Sequence, residues 1–476
     1  MFRDIFKRKK EENIIKAILK LAWPIIIANV FQAAYQLTDS FWVGRLGEKA
    51  VASVTISSPI IFLLVSLGIG FGVSGAILTA QYFGAENQKM VDFSAAQTIL
   101  MIVVVSIILS ITGFLLAPNI LNLMNAPTEI YDYALKFLRI AFLALLPNFS
   151  FFMFQSIMRS IGKPTIPVFI VIGTVLLNFI LDPLLMFGWK FIPGMEVVGV
   201  ALATIITQTI AATIGLIILF SGKRGIHLKL KNLKPDFKFI KKSFFLGLPA
   251  SIEQSARSLG MTVMTSLIIG FGTLSVASYG AGSNIIQIII ILSIGLSAAT
   301  SALTGQSIGA KNIKRAEKIT ITSTIISFIL LTIFGIIVYF SAPKLIAFFV
   351  PNDLSIIENG AHFLRIVCLS FGFIGIQMSV AAILQSSGNT MTAMLLTLTS
   401  QWVIQITLAF VLSKFTSLGI NGFWYSLPIT NVIISLVYII VFKAGRWKKK
   451  KITEDDRLSS EIMENIQSEE IISYDA

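Results

Sequence analysis

The sequence is short of the residues that build most catalytic and metal sites. Its 476 residues include a single cysteine, Cys368, and two histidines, His227 and His362. One cysteine excludes an intramolecular disulfide framework. So few thiol and imidazole groups poorly supply a zinc site or a nucleophile–base pair. We therefore predict that the protein is not an enzyme and holds no resident cofactor.

Charged residues are also scarce. They make up 13% of the chain, against about a quarter in soluble domains. Hydrophobic residues make up 55%, and the mean hydropathy is +0.83. Runs of about 20 apolar residues recur along the whole chain, each long enough to cross a bilayer. The runs are continuous rather than alternating, which excludes a transmembrane β-barrel. Composition therefore predicts an all-α membrane protein.

Turn-forming stretches divide the apolar runs into twelve predicted transmembrane helices. The basic segment GKRGIHLKLKNLKPDFKFIKK, residues 222–242, separates six helices from six. We predict an N-terminal six-helix lobe at 1–221, a cytoplasmic basic linker at 222–241, a C-terminal six-helix lobe at 242–442 and a cytoplasmic tail at 443–476. The predicted helices cover residues 15–42, 52–79, 93–117, 131–157, 165–188, 197–220, 242–268, 276–304, 317–341, 356–386, 391–412 and 420–442.

The distribution of lysine and arginine predicts the topology. With both termini in the cytoplasm, most of the 38 basic residues lie on the cytoplasmic side, as the positive-inside rule requires. The start of the chain, MFRDIFKRKKEENIIKAILKLAWP, lacks a small-residue cleavage site, so we interpret it as a lead-in to the first span rather than a signal peptide. The net charge of +14 then reflects topology and attraction to anionic lipids. We expect a monomeric, multi-pass protein of the cell membrane that does not bind nucleic acid.

The two halves of the chain are repeats of one another. Residues 21–89 align without a gap on residues 246–314, and the hydrophilic TAQYFGAENQK at 79–89 falls on TGQSIGAKNIK at 304–314. Each half has six predicted spans, so both enter the membrane in the same direction. We therefore expect two six-helix bundles related by a pseudo-twofold axis along the membrane normal, with a transport path between or within them. Further matches are AP at 117–118 and 342–343, FLRI at 137–140 and 363–366, and SIG at 160–162 with SSG at 386–388.

Few ionisable residues fall within the predicted spans: Asp39, Asp182, Glu253 and Arg257. Each costs about 2.5–3.5 kcal/mol on insertion scales, which makes each a functional candidate. Asp39 stands three residues before Trp42, and Asp182 stands seven before Trp189. If both tryptophans anchor the membrane interface, the two aspartates lie at similar depth and can face one another.

Helical spacing gives these aspartates polar neighbours. Asn178 stands four residues before Asp182, on the same helix face. Oxygen ligands suit a hard cation such as Na⁺, and two desolvated acids close together could instead share a proton. The alternative for Asp39 is a hydrated helix end at the interface. The other polar groups that share a face of a span are Gln32 and Tyr35 with Asp39, Thr204 with Gln208, and Asn148 with Gln155.

The second half lacks the paired acids, because Asp39 and Asp182 align with Met264 and Leu408. This asymmetry indicates that the expected binding of a cation or proton, and any coupling of transport to it, takes place in the first half. Glu253 and Arg257 are four residues apart with the acid first, the favourable order on a helix. They form either a self-neutralising pair or a second ion or substrate site.

A proline stands early in the first span, at Pro24, and another in the seventh, at Pro249. A proline inside a helix removes a backbone hydrogen bond and permits a kink. Pro24 is therefore either a bending point or a residue of the first helical turn.

Several of these stretches together resemble the multidrug and toxic compound extrusion (MATE) family. The resemblance covers about residues 14–443, and its closest match is the prokaryotic DinF-like and archaeal branch. It depends on the spacing of Pro24 and Asp39, on YQLTDSFWVGRLG at 35–47, on QYFGAEN and its repeat QSIGAKN, and on the RSIGKP and NFILDP stretches.

The resemblance implies an antiporter that exports amphipathic, often cationic drugs or metabolites by alternating access, in exchange for Na⁺ or H⁺. It implies that Asp39, Asp182 and Asn178, with Thr204, hold the coupling ion and form a candidate Na⁺ site. Gln32 and Tyr35 would line the substrate cleft, where we also expect Asn148 and Gln155, and Pro24 would be the hinge. NorM-like members pair the acid at Glu253 with another in span ten, which this chain lacks. A flippase for a lipid-linked saccharide, of the same superfamily, is the alternative function.

Overall fold

The computed structural model describes residues 13–190, 193–351, 353–449 and 452–453. The predicted lead-in before residue 13 and the predicted acidic tail beyond residue 453 lie outside the described residues. Within these ranges, the regular elements are helices, with no β-strand. Nine of the described helices are long and apolar enough to cross a membrane, and two bent helix pairs bring the number to eleven.

One further helix, Phe237–Ile269, follows the linker and brings the number of spans to twelve. It carries Lys238, Lys241 and Lys242 in its first turns and begins five residues before the predicted start of this span at residue 242. The continuous spans are Ile14–Gly44 (span 1), Glu48–Gly84 (span 2), Gln88–Leu123 (span 3), Thr165–Phe187 (span 5), Glu196–Phe220 (span 6), Phe237–Ile269 (span 7), Thr273–Gly309 (span 8), Ile313–Phe349 (span 9) and Ile420–Lys443 (span 12).

The remaining three spans are interrupted. Span 4 consists of Thr128–Leu143 and Leu145–Ser160 with a bend of 42°, and span 10 consists of Leu354–Cys368 and Phe371–Ser386 with a bend of 48°. Span 11 runs from Thr390 to Lys414 and contains a π-helical stretch, Thr399–Gln405. The bends fall at corresponding places in the two halves, shortly after each FLRI motif, so the repeat extends to the shape of its helices.

Side-chain contacts repeat as well. In each FLRI motif the arginine stacks on an aromatic ring of the preceding span: the Arg139 guanidinium lies 5.0 Å from the Phe114 ring centroid, and that of Arg365 lies 5.8 Å from the Tyr339 centroid. The repeated turns at GAEN and GAKN also match, because an asparagine caps the next helix in both. Asn87 accepts a hydrogen bond from the Met90 amide at 3.1 Å, and Asn312 accepts one from the Arg315 amide at 3.0 Å.

Span 1 is shared between the two halves. Its first turns belong to an apolar cluster in which Ile18 and Ile25 pack with Leu296 and Leu303 of span 8. Its last turns pack on span 5, where the Trp42 ring lies 6.0 Å from Phe179. The N-terminal part of this helix therefore contacts the second half, although the helix itself precedes the predicted boundary between the lobes.

The two halves meet at the end of the molecule that carries the linker, which we call the linker end. Spans 2 and 7 make hydrogen bonds from Ser251 to the Leu67 carbonyl at 2.9 Å and between Ser74 and Ser243 at 3.1 Å. The described hydrogen bonds between the halves lie between the middle of the spans and the linker end. At the opposite end, the apolar clusters around Val43 and around Met264 each contain residues of one half only. The bundle is thus closed at the linker end.

Two glutamines close the linker end reciprocally. Gln81 in span 2 donates to the Ser386 carbonyl at 2.7 Å, and Gln306 in span 8 donates to the Ser160 carbonyl at 2.6 Å. Ser160 and Ser386 end the helices of spans 4 and 10, where carbonyls lack helical partners. Each glutamine therefore caps a helix of the other half. We call these two contacts the reciprocal glutamine pair.

Candidate functional site

Two acids and an amide meet between spans 1 and 5. The Asn178 Nδ2 donates to Asp182 Oδ1 at 3.0 Å, and both side chains are fully buried. The Asp39 carboxyl lies close to this pair, against both Asp182 and Asn178. The structure therefore brings together Asp39, Asn178 and Asp182, three of the four residues that the resemblance assigns to ion coupling.

Aromatic packing fixes the two helices at this depth. The Trp42 ring, one turn after Asp39, lies 6.0 Å from the Phe179 ring and 6.3 Å from the Phe187 ring. Phe179 and Phe187 flank Asp182 along span 5. The tryptophan that predicted the depth of Asp39 thus also docks span 1 on the helix that carries the second acid.

A second polar contact joins span 1 to span 6. Tyr35 is buried, and its hydroxyl lies 3.3 Å from Thr207 Oγ1. Thr204 lies near the same hydroxyl, and Tyr35 lies near both Asp39 and Asp182. Thr207 was not predicted, although its spacing of three residues from Thr204 placed it on the same helix face.

We call Asp39, Asn178 and Asp182 the acid cluster. Three of its oxygens are buried without a hydrogen-bond donor among the described residues: Asp39 Oδ1, Asn178 Oδ1 and Asp182 Oδ2. Gln208 Oε1, on the turn of span 6 that carries Thr207, is a fourth such acceptor. Buried acceptors without donors are costly, and two adjacent carboxylates cannot both be charged without a compensating positive charge. A hard cation or a proton supplies that charge, so the donor set fits Na⁺ or H⁺.

The described residues contain no group of three His, Cys, Asp or Glu side chains that could hold a metal ion. The acid cluster offers two carboxylates and neutral oxygens, the ligands that hard cations prefer.

The other predicted cleft residues do not take part in the hydrogen bonds of the acid cluster. Gln32, Asn148 and Gln155 are half-buried, and their side-chain amides make no hydrogen bond to another described residue. Pro24 lies ten residues inside a helix that begins at Ile14. It is therefore an interior proline and not a residue of the first turn.

The predicted pair in the second half has a different environment. Glu253 is 3% exposed. Its Oε1 accepts from Arg257 at 3.2 Å and from Thr397 at 3.0 Å, and its Oε2 accepts from Gln385 at 3.3 Å. Each Glu253 oxygen thus has a protein donor, whereas the acids of the first half have orphaned oxygens. The π-helical stretch of span 11 adds to this packing, because Gln401 donates to the Arg257 carbonyl at 3.1 Å.

The family model described as MatE matches residues 24–184 and 249–411, which together make up more than half of the chain. The chain belongs to the MATE family. The two matched segments correspond to the two repeats of the sequence.

Curated relatives of this MATE protein match over nearly their whole length. The probable multidrug resistance protein YoeA of Bacillus subtilis is 27% identical over 94% of this chain and 97% of its own. The probable multidrug resistance protein NorM of Thermotoga maritima is 25% identical over 96% of this chain and 98% of its own. The family assignment and the apolar helices identify a multi-pass membrane transporter.

Solved structures share the fold. A crystal structure of a MATE protein in complex with MaL6 superposes with a TM-score of 0.86 at 23% identity, covering 92% of this chain and 98% of that one. A MOP superfamily transporter from Pyrococcus furiosus superposes with a TM-score of 0.85 at 23% identity, over 92% and 97% of the two chains. These matches support the predicted fold of twelve membrane-spanning helices.

Proposed function

We propose that this MATE protein exports small amphipathic, often cationic molecules in exchange for Na⁺ or H⁺ moving inward. The observation that carries the proposal is the acid cluster, in which Asp39 and Asp182 face one another and leave buried oxygens without donors. The multidrug resistance names of YoeA and NorM support the class of substrate.

The coupling ion would bind at Asp39, Asp182 and Asn178. One carboxylate compensates the ion's charge, while the second carboxylate and the Asn178 carbonyl oxygen complete the oxygen ligands. Thr204 would act through Tyr35, whose hydroxyl contacts span 6 while its ring lies one turn before Asp39. An H⁺ would instead be held on one carboxyl and shared with the other.

Span 1 is suited to connect this site to the closure of the bundle. Its last turns carry Asp39 against span 5, and its first turns pack on span 8 of the second half. Pro24 lies near the end of the part that packs on span 8, before the turns that carry Asp39, and would be the bending point. Neutralising the acid pair draws spans 1 and 5 together, which changes the cleft beside Gln32 and releases the substrate.

During alternating access, the linker end would open and the opposite end would close. We place the linker end in the cytoplasm, with both chain termini on that side of the plasma membrane, and we treat the protein as a monomer. The described conformation is then open to the outside, the state in which the ion enters and substrate leaves. Coupling requires the ion to bind the two states with different affinities.

The second half would not hold a coupling ion. The Glu253 charge is compensated by Arg257, and both of its oxygens accept hydrogen bonds from the protein. We assign this pair to the packing of spans 7, 10 and 11. Ion coupling is thereby restricted to the first half.

The test is ion-driven efflux by the variant Asp39→Asn in membrane vesicles. The amide keeps the size of the side chain but removes one of the two charges, so the variant should fold and lose gradient-driven export. Asp132→Asn is the matched control, because Asp132 is exposed at the beginning of span 4. Normal export by Asp39→Asn would rule out the proposed coupling role.

A further inference from the structure

The residues that follow span 12 pack back against the second half. Trp447 is 2% exposed and stacks on Phe442 with ring centroids 5.7 Å apart. Lys448 Nζ then contacts both carboxylate oxygens of Glu317, at 2.8 and 2.9 Å, at the beginning of span 9. These contacts hold residues 446–449 against the second half at the linker end.

The tail next reaches the contact between the halves. Ile452 is 5% exposed and belongs to the same apolar core as Leu246 and many residues of the first half. Its carbonyl accepts a hydrogen bond from Lys242. Thr453 Oγ1 donates to Gln81 Oε1 at 3.2 Å. Gln81 is the residue whose amide caps span 10 in the reciprocal glutamine pair, so the tail contacts one member of that pair directly.

The backbone at Gly388 makes room for Ile452. Gly388 has φ +82°, and a Cβ at this position would clash with the Ile452 side chain. A non-glycine residue here would therefore suffer both backbone strain and a clash. Gly388, in the SSG motif of the second repeat, thus lies directly against the Ile452 side chain.

The linker makes corresponding contacts in the first half. Asp92, the repeat counterpart of Glu317, accepts a hydrogen bond from the His227 amide of the linker at 2.9 Å. The neighbouring linker residue Ile226 is 1% exposed. The tail therefore packs on the second half as the linker packs on the first. Unlike the linker, it also contacts Gln81, the glutamine that joins the two halves.

We propose that Ile452 and Thr453 dock between the two halves and stabilise the state that is closed at the linker end, so that the chain's own tail regulates the opening of the transporter. Release of these two residues would free Gln81 Oε1 and expose Ile452 and its apolar site. The inference rests on the proposed function only in assuming that the linker end opens during transport.

The experiment measures closure directly, without substrate or an ion gradient. In a Cys368→Ser background, Ser74→Cys and Ser243→Cys place two thiols where hydroxyl oxygens lie 3.1 Å apart across the halves, which is close enough to oxidise to a disulfide when the linker end is closed. The rate of disulfide formation in the full chain then reports on the closed state. Because the assay uses no ion gradient, the rate still tests the docking of the tail if the ion-coupling proposal fails.

Ile452→Asn should slow disulfide formation about tenfold, since it removes most of the apolar burial that docks the tail. Thr453→Val should slow it roughly two- to fivefold, because it removes one hydrogen bond. Ile452→Val and Thr453→Ser keep these interactions and should react like the parent. Unchanged rates in both Ile452→Asn and Thr453→Val would overturn the proposal, as would an equal loss in the conservative variants.

Discussion

Removing one member of the reciprocal glutamine pair should open the linker end. Gln81→Met keeps the length of the side chain but removes the amide that donates to the Ser386 carbonyl at 2.7 Å. Gln306→Met does the same to the 2.6 Å contact with Ser160. Both carbonyls end a helix, so they have no helical donor to replace the glutamine.

The structure sets the size of the expected effect. A buried acceptor left without its donor costs about 1–3 kcal/mol. In an open state the same carbonyl is hydrated, so the cost falls on the closed state alone. Because about 1.4 kcal/mol is a tenfold change in an equilibrium constant, the ratio of open to closed molecules should rise roughly 5- to 150-fold in either variant.

The labelling rate of a buried thiol measures this change. Ser74 is fully buried where spans 2 and 7 meet, so Ser74→Cys in a Cys368→Ser background should react with a maleimide only when the linker end opens. Both glutamine variants should accelerate labelling. The control is Gln287→Met, an exposed position on the same helix as Gln306. Labelling rates equal to the parent in both variants would refute the idea that these contacts hold the end closed.

Three further outcomes follow from the described contacts. Asp39→Asn should raise the free energy of unfolding by about 1–2 kcal/mol in buffer without Na⁺ at high pH, because it removes like-charge repulsion; an equal or lower thermal midpoint would contradict the charge argument. Gln97→Ala should destabilise the protein by about 3 kcal/mol, since it removes hydrogen bonds to the carbonyls of residues 232 and 234 and to the amide of residue 236; a midpoint matching that of Gln287→Ala would contradict this. Arg257→Met should cost about 3–5 kcal/mol by leaving Glu253 buried and unpaired, and adding Glu253→Gln should recover most of the loss; a double variant no more stable than Arg257→Met would contradict the pairing.

Hydropathy and turn residues were sufficient to predict the number and order of the spans. Most of the predicted spans were too short, however. Span 8 was predicted at 276–304 but extends over Thr273–Gly309, because its polar ends remain helical outside the apolar stretch. The bends in spans 4 and 10 were not predicted. Pro147 lies in the first turn after the break in span 4 and cannot donate to the Leu143 carbonyl, whereas the break in span 10 lies beside no proline. The MATE resemblance is confirmed, and the DinF-like branch stays a prediction.

The site was predicted less completely than the fold. Matching the depths of Asp39 and Asp182 placed the acids together, because tryptophan positions give depth in the membrane. The resemblance supplied Thr204 as the hydroxyl of span 6, but periodicity alone did not show that Thr207 meets Tyr35. Likewise, the repeated TAQYFGAEN and TGQSIGAKN stretches showed that Gln81 and Gln306 correspond, but a repeat does not show that each binds the other half.

The most direct measurement is substrate efflux from proteoliposomes under an imposed Na⁺ gradient or an imposed pH gradient, each applied alone. The proposed acid cluster predicts that at least one inward gradient drives efflux in the parent protein. That efflux should be lost in Asp39→Asn and in Asp182→Asn but kept in Glu253→Gln. If neither gradient drives efflux across a broad panel of cationic and amphipathic compounds, or if the aspartate variants respond like the parent, ion coupling at this cluster is contradicted.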